Sequence, residues 1–131
     1  MFSTRELSNI FIIGGILYGL IEIIFRGYTH WSMVITGGLC FLIFYILNIT
    51  LPSNSLLLRC IVSVVVITTL EYYTGYIVNI LLKWDVWDYS SLAYNLKGQI
   101  CLTFSAIWFL FGIPMTFLAN YLKQKTSFIN P

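Results

Sequence analysis

Residues 56–82 read LLLRCIVSVVVITTLEYYTGYIVNILL. This run is apolar apart from a few polar side chains and two charges, Arg59 and Glu71. A helix needs about 20 apolar residues to cross roughly 30 Å of hydrocarbon. The run exceeds that length, which leaves room to tilt or protrude. It is far too long for a strand, and it lacks the alternation of a membrane β-barrel. Similar runs flank it: Leu7 to Phe25, Ser32 to Ile49, and Leu96 to Leu122 with Pro114 inside. The pattern predicts an all-α integral membrane protein. Four transmembrane helices over 7–25, 32–49, 56–82 and 96–122 form one compact bundle within a single domain, 1–131. Both termini then share a side, and the longest connection is the far-side loop 83–95.

Composition supports the same class. Of 131 residues, 59% are hydrophobic, 18% aromatic and only 9% charged, with a mean hydropathy of +0.87. Small soluble domains bury only about two-thirds of their chain surface, so they cannot hide this much apolar area. A net charge of +2 is too mild to imply a nucleic-acid partner. The lone histidine, His30, excludes a multi-histidine metal site, and no metal or cofactor is expected. Cys40, Cys60 and Cys101 are an odd set without a CxxC spacing and read as small core residues. The first apolar run is too long for a signal peptide and has no A-x-A site, so it reads as a retained helix. Asn48-Ile49-Thr50 matches a glycosylation sequon but falls at a helix end.

Lys and Arg divide almost evenly. Arg5, Arg59, Lys123 and Lys125 lie on the terminal side, and Arg26, Lys83 and Lys97 on the other. This weak bias favours cytoplasmic termini in a multi-pass protein of the cell membrane.

Charges inside a bilayer cost at least about 2.5 kcal/mol each at its centre, so each calls for an explanation. Glu22 and Arg26 stand in the favourable i, i+4 order and continue a seam with Gly15 and Gly19. Glu71 shares a helical face with Thr68, Gly75 and Asn79. It has no basic residue one turn away, so it needs a partner from another helix, a cation or a retained proton. Arg26 is the expected partner. Helix directions place Glu22, Glu71, Asp85 and Asp88 toward one membrane face, with His30, Asn95 and Gln99. Trp31, Trp84 and Trp87 read as an interfacial aromatic belt. Gly98, Ser105, Gly112 and Ala119 recur every seven residues as a packing seam, within the bundle or between subunits; Gly37, Gly38 and Gly75 offer further close contacts. No phosphate-binding G-x-x-x-x-G-K-[ST] loop, G-x-S-x-G elbow, H-E-x-x-H motif or ion-selectivity filter is present.

Three segments carry a resemblance. They are Ile21-Glu22 through Arg26-Gly27-Tyr28-Thr29-His30-Trp31-Ser32-Met33, then Glu71-Tyr72-Tyr73-Thr74-Gly75 with Asn79, then Trp87-Asp88-Tyr89-Ser90 through Gly98-Gln99-Ile100-Cys101 to Trp108-Phe109. Together they resemble the bacterial family of type IV ABC-transporter permeases (CmpB-like) over nearly the whole chain. The resemblance implies transport. It implies a separate ATPase subunit as well, since this sequence contains no ATPase motif.

These features predict a transporter or permease-like component. Its ligand, ion or proton site would be Glu71, Glu22, Arg26, Asp88, His30, Asn79 and Gln99. Its packing positions would be Gly15, Gly19, Gly75, Gly98, Ser105 and Gly112. Such a narrow bundle would also need a homo-oligomer to form a pore. The alternatives are a non-catalytic assembly subunit, or an interfacial enzyme acting on lipid with His30 as acid or base.

Overall fold

A computed structural model describes the backbone of residues 2–129 and the side chains of residues 2–126. Helix α1 (Thr4–Arg26) opens with a reciprocal cap. Ser3 Oγ accepts the Glu6 N–H, and the Glu6 carboxylate accepts the Ser3 N–H, satisfying two donors the helix leaves free. It ends at Gly27, whose φ of +82° suits a left-handed helix stop. Helix α2 (Trp31–Thr50) is capped by the His30 side chain. Ser55 caps helix α3 (Leu56–Gly75), which continues as π-helical turns over Tyr76–Leu81. Helix α4 (Leu102–Ile129) runs through Pro114. All four helices are long and apolar enough to cross a membrane, as the residue runs predict.

The start of the fourth helix differs from expectation. Residues 95–101 form a small hairpin instead: β1 (Asn95–Leu96) pairs antiparallel with β2 (Ile100–Cys101). Lys97 and Gly98 at its turn have φ of +54° and +73°, which no continuing right-handed helix permits. An alanine Cβ at Gly98 would also stand 2.7 Å from Asp88 Oδ1. Residues 96–101, Leu-Lys-Gly-Gln-Ile-Cys, read as helix only by continuity with the long apolar run that follows; the turn geometry and the docking of this hairpin override it.

Helix α1 packs chiefly on α2, α3 on α4, and α2 bridges the pairs. Glycines allow the close approach. A Cβ at Gly15 would lie 2.9 Å from the Val34 carbonyl, and one at Gly112 2.6 Å from Cys60 Cα. Gly112 thus packs within the chain, as does Ser105, whose Oγ lies 3.5 Å from Thr68 Oγ1. Ala119 is fully buried among Ile10, Phe41, Phe44 and Tyr45. Gly19 is looser, 3.4 Å from Val34. Gly98 belongs to the hairpin rather than to this helical seam.

The terminal end of the bundle is tied by polar side chains. Lys123 Nζ meets Glu6 Oε2 at 3.1 Å, and Tyr45 Oη donates to the same carboxylate. The first turn of α1 and the Lys123 turn of α4 therefore lie at one end of the bundle. Arg59 is buried; its Nε donates to Asn48 Oδ1 at 2.8 Å and its Nη2 to the Asn48 carbonyl at 3.0 Å. Asn48 Nδ2 donates in turn to Asn120. The sequon asparagine is thus a buried brace between helices and cannot serve as a glycan acceptor in this fold. Cys40, Cys60 and Cys101 are buried free thiols, as expected.

Candidate functional site

Away from that tied end, α1 and α4 part. Between them lie two contiguous cavities. A narrow apolar cleft of about 190 Å³ is lined by Gly14, Leu17, Pro114 and Leu118, among others. A wider cavity of about 600 Å³ lies toward the 83–101 loop. Both are lined by Tyr18, Ile21, Trp108 and Phe111, so they form one groove. The wider volume falls in the range of small-molecule sites.

Charge is concentrated at the wide end, where Glu22, Arg26 and Asp88 line the cavity. Arg26 Nη1 donates to Glu22 Oε2 at 2.8 Å, as the i, i+4 spacing predicts. Its Nη2 donates to Tyr28 Oη at 2.8 Å and to the Val86 carbonyl at 2.7 Å. Arg26 thereby joins α1 to the loop after α3. Glu22 is 94% buried by side-chain and backbone neighbours, with 6% of its surface exposed. Its second oxygen, Oε1, has no hydrogen-bond partner.

Glu71 is buried on α3, with 3% of its surface exposed. The expected partnership with Arg26 is not what forms. Trp108 Nε1 of α4 donates to Glu71 Oε2 at 2.9 Å, and Tyr89 sits beside the same carboxylate. Arg26 reaches instead along its own helix and across to the loop. Glu71 stands behind the cavity wall made by Tyr18, Tyr89 and Trp108. Tyr89 stacks on Phe104 with ring centroids 4.8 Å apart. Burial pushes its hydroxyl well above the usual tyrosine range, and the neighbouring Glu71 carboxylate adds to this. Tyr89 is therefore a neutral donor.

The other predicted residues sit around this centre. Asp88 is exposed at the cavity mouth; its Oδ1 accepts the Ser90 N–H at 2.9 Å. Hydrogen bonds from the Ser90 side chain and backbone hold its pKa below the usual value. Asn79 and Gln99 lie behind the loop, with both amides engaged. Asn79 donates to Gln99 Oε1 at 2.8 Å and accepts from the Val86 N–H at 2.7 Å. Gln99 Nε2 donates to the Lys97 carbonyl. Gly75 makes room for this: a Cβ there would stand 2.7 Å from Trp87 Cζ2. His30 lies apart from the carboxylates. Its Nδ1 caps α2 through Ser32, and its ring clusters with those of Trp31 and Trp84.

Trp31 and Trp84 are exposed, as an interfacial belt requires. Trp87 is not part of that belt. It is buried against Met33 and Val78, and its indole donates to the Gln99 carbonyl at 3.0 Å. Sequence reasoning also passed over Tyr18, which faces both Glu22 and Glu71, and Trp108. Trp108 follows Glu71 by more than a full helix, so no local spacing signals the pair. Among the described residues, no cluster of His, Cys, Asp or Glu is suited to hold a metal ion.

Four helices long and apolar enough to cross a membrane define the class, a multi-pass membrane protein. The chain belongs to the family described as "Putative ABC-transporter type IV", whose sequence pattern matches residues 7–131. No curated protein and no solved structure matches it.

Proposed function

We propose that the chain is the solute-binding, permease-like component of a transport system, with the cavity at Glu22, Arg26 and Asp88 as its binding site and Glu71 behind it. One observation carries this reading. Two carboxylates, Glu22 and Glu71, are buried on different helices beside one cavity; among the described residues Arg26 pairs with Glu22, and no basic group pairs with Glu71. Uncompensated charge in a low-dielectric bundle is costly, and such groups characteristically mark substrate, ion or proton paths. The second carboxylate is left to a proton or a solute cation. In this reading His30, Asn79 and Gln99 shape the mouth rather than touch solute.

The family membership favours a separate ATPase subunit. Its docking surface would be the exposed segment Pro52 to Ser55 and the end of α4, on a cytoplasmic side carrying Arg5, Lys123 and Lys125. The test is flux in proteoliposomes carrying purified protein, measured for protons, K⁺ and small ammonium ions. Wild type is expected to move at least one of them, and Glu71→Gln to lose that flux. Identical behaviour of the two proteins across all three overturns the proposal.

A further inference from the structure

The groove between α1 and α4 has the depth of one membrane leaflet. It runs from Arg26, in the last turn of α1, to Gly14 in the apolar cleft. At 1.5 Å per residue the helix rises about 18 Å between them, against roughly 15 Å for half of a 30 Å hydrocarbon core. The groove opens onto hydrocarbon. Phe25, which lines the wide end, is 80% exposed, and the flanking helices expose apolar side chains such as Ile24 and Phe117. The wide end carries two opposite charges that do not pair with each other. Arg26 lines the cavity with about a third of its side chain open. Three of its five N–H groups hold Glu22, Tyr28 and Val86, and the other two are unused. Asp88 lines the same cavity, is exposed, and forms no ion pair among the described residues. Glu22 is enclosed, with Arg26 on Oε2, Oε1 buried and Tyr18 beside it, so it does not face an occupant.

We infer that the α1–α4 groove binds one zwitterionic phospholipid of the surrounding leaflet, with its phosphate at Arg26, its ammonium at Asp88 and one acyl chain in the apolar cleft. This rests on the proposed binding role of the cavity and names the class of molecule it takes up. A guanidinium with unused N–H groups suits a phosphate oxygen, and an exposed carboxylate at the cavity mouth suits an ammonium. A headgroup of net negative charge would meet two carboxylates, Glu22 and Asp88, against one guanidinium. A purely cationic headgroup would leave the Arg26 donors unused. Only a headgroup with both charges answers both side chains. The cleft supplies the remaining selection: its apolar lining and leaflet depth fit a chain anchored in the bilayer rather than a free polar zwitterion.

The experiment is native mass spectrometry of the full chain in detergent at pH 7, titrated with lipids that share dioleoyl tails and differ in the headgroup. Phosphatidylethanolamine and phosphatidylcholine carry both charges. Phosphatidylglycerol carries the phosphate alone, and dioleoyl-trimethylammonium-propane the ammonium alone. Wild type is expected to bind the first equivalent of either zwitterion at least about fivefold more tightly than either singly charged lipid, the scale of one partly exposed ion pair. Asp88→Asn should erase the margin over phosphatidylglycerol. Ile107→Trp, which fills the wide cavity, should remove the tight first site. A singly charged lipid that binds wild type as tightly as the zwitterions overturns the inference without relying on any variant. An unchanged margin in Asp88→Asn overturns the placement of the ammonium, and an unchanged first site in Ile107→Trp overturns the location. No gradient is applied, so lipid binding without flux defeats only the transport reading, and flux without a zwitterion preference defeats only this one.

Discussion

Trp108 Nε1 lies 2.9 Å from Glu71 Oε2 and joins α4 to the buried acid of α3. A hydrogen bond to a charged group is worth more than a neutral one, and losing it strands a buried acceptor. Trp108→Phe keeps most of the ring but removes the donor. It is expected to lower stability by about 1–3 kcal/mol in a reversible denaturant titration of detergent-solubilised protein. Adding Glu71→Met should recover part of that loss, because the stranded acceptor is then gone. Strictly additive losses would mean that the two side chains are not coupled.

Helix pairing through glycine should be graded by distance. The Cβ of Gly112→Ala would meet Cys60 backbone at 2.6 Å, whereas that of Gly19→Ala would meet only a Val34 methyl at 3.4 Å. Backbone cannot step aside as a methyl can, and overpacking costs typically about 1–3 kcal/mol. Gly112→Ala is therefore expected to depress the melting temperature measurably, and Gly19→Ala to leave it nearly unchanged. The reverse order would place the tight α3–α4 contact elsewhere.

Asp88 ties part of the chain's acid response to the loop at Ser90. Its carboxylate is held below the usual value by hydrogen bonds from Ser90. A lowered folded-state pKa stabilises the fold above the unfolded value of about 3.9, and that contribution fades as pH falls through the lowered one. Melting curves from pH 6 down to pH 2.5 should show a decline in the last part of this range. Asp88→Asn should flatten that portion. An unaltered acid limb in the variant would assign the decline to other carboxylates.

The membrane class and the four helices were legible because apolar run length is a local property of the chain. So was the Glu22–Arg26 pair, since i, i+4 spacing brings these groups together in any helix. Residues 96–101 were misread as helix. They were read with the apolar run that follows them, but left-handed Lys97 and Gly98 fold them into a hairpin held by Trp87 and Tyr89. Trp87 likewise resembled its exposed neighbours Trp31 and Trp84, and only docking of the loop buried it.

Spacing along one helix says which residues share a face, and Thr68, Glu71, Gly75 and Asn79 do share one. It cannot say what that face meets. Trp108 for Glu71, Gln99 for Asn79 and Lys123 for Glu6 come from partners 20 to 117 residues away. Such pairs depend on how each helix is rotated and on where the loop settles. The groove between α1 and α4 is of the same kind. It exists because the helices are clasped at the terminal end by Glu6, Tyr45 and Lys123 and held apart beyond it by bulky side chains such as Tyr18 and Trp108. Burying apolar runs in lipid follows from composition, whereas setting the buried Glu22 and Glu71 beside one groove follows only from three-dimensional packing.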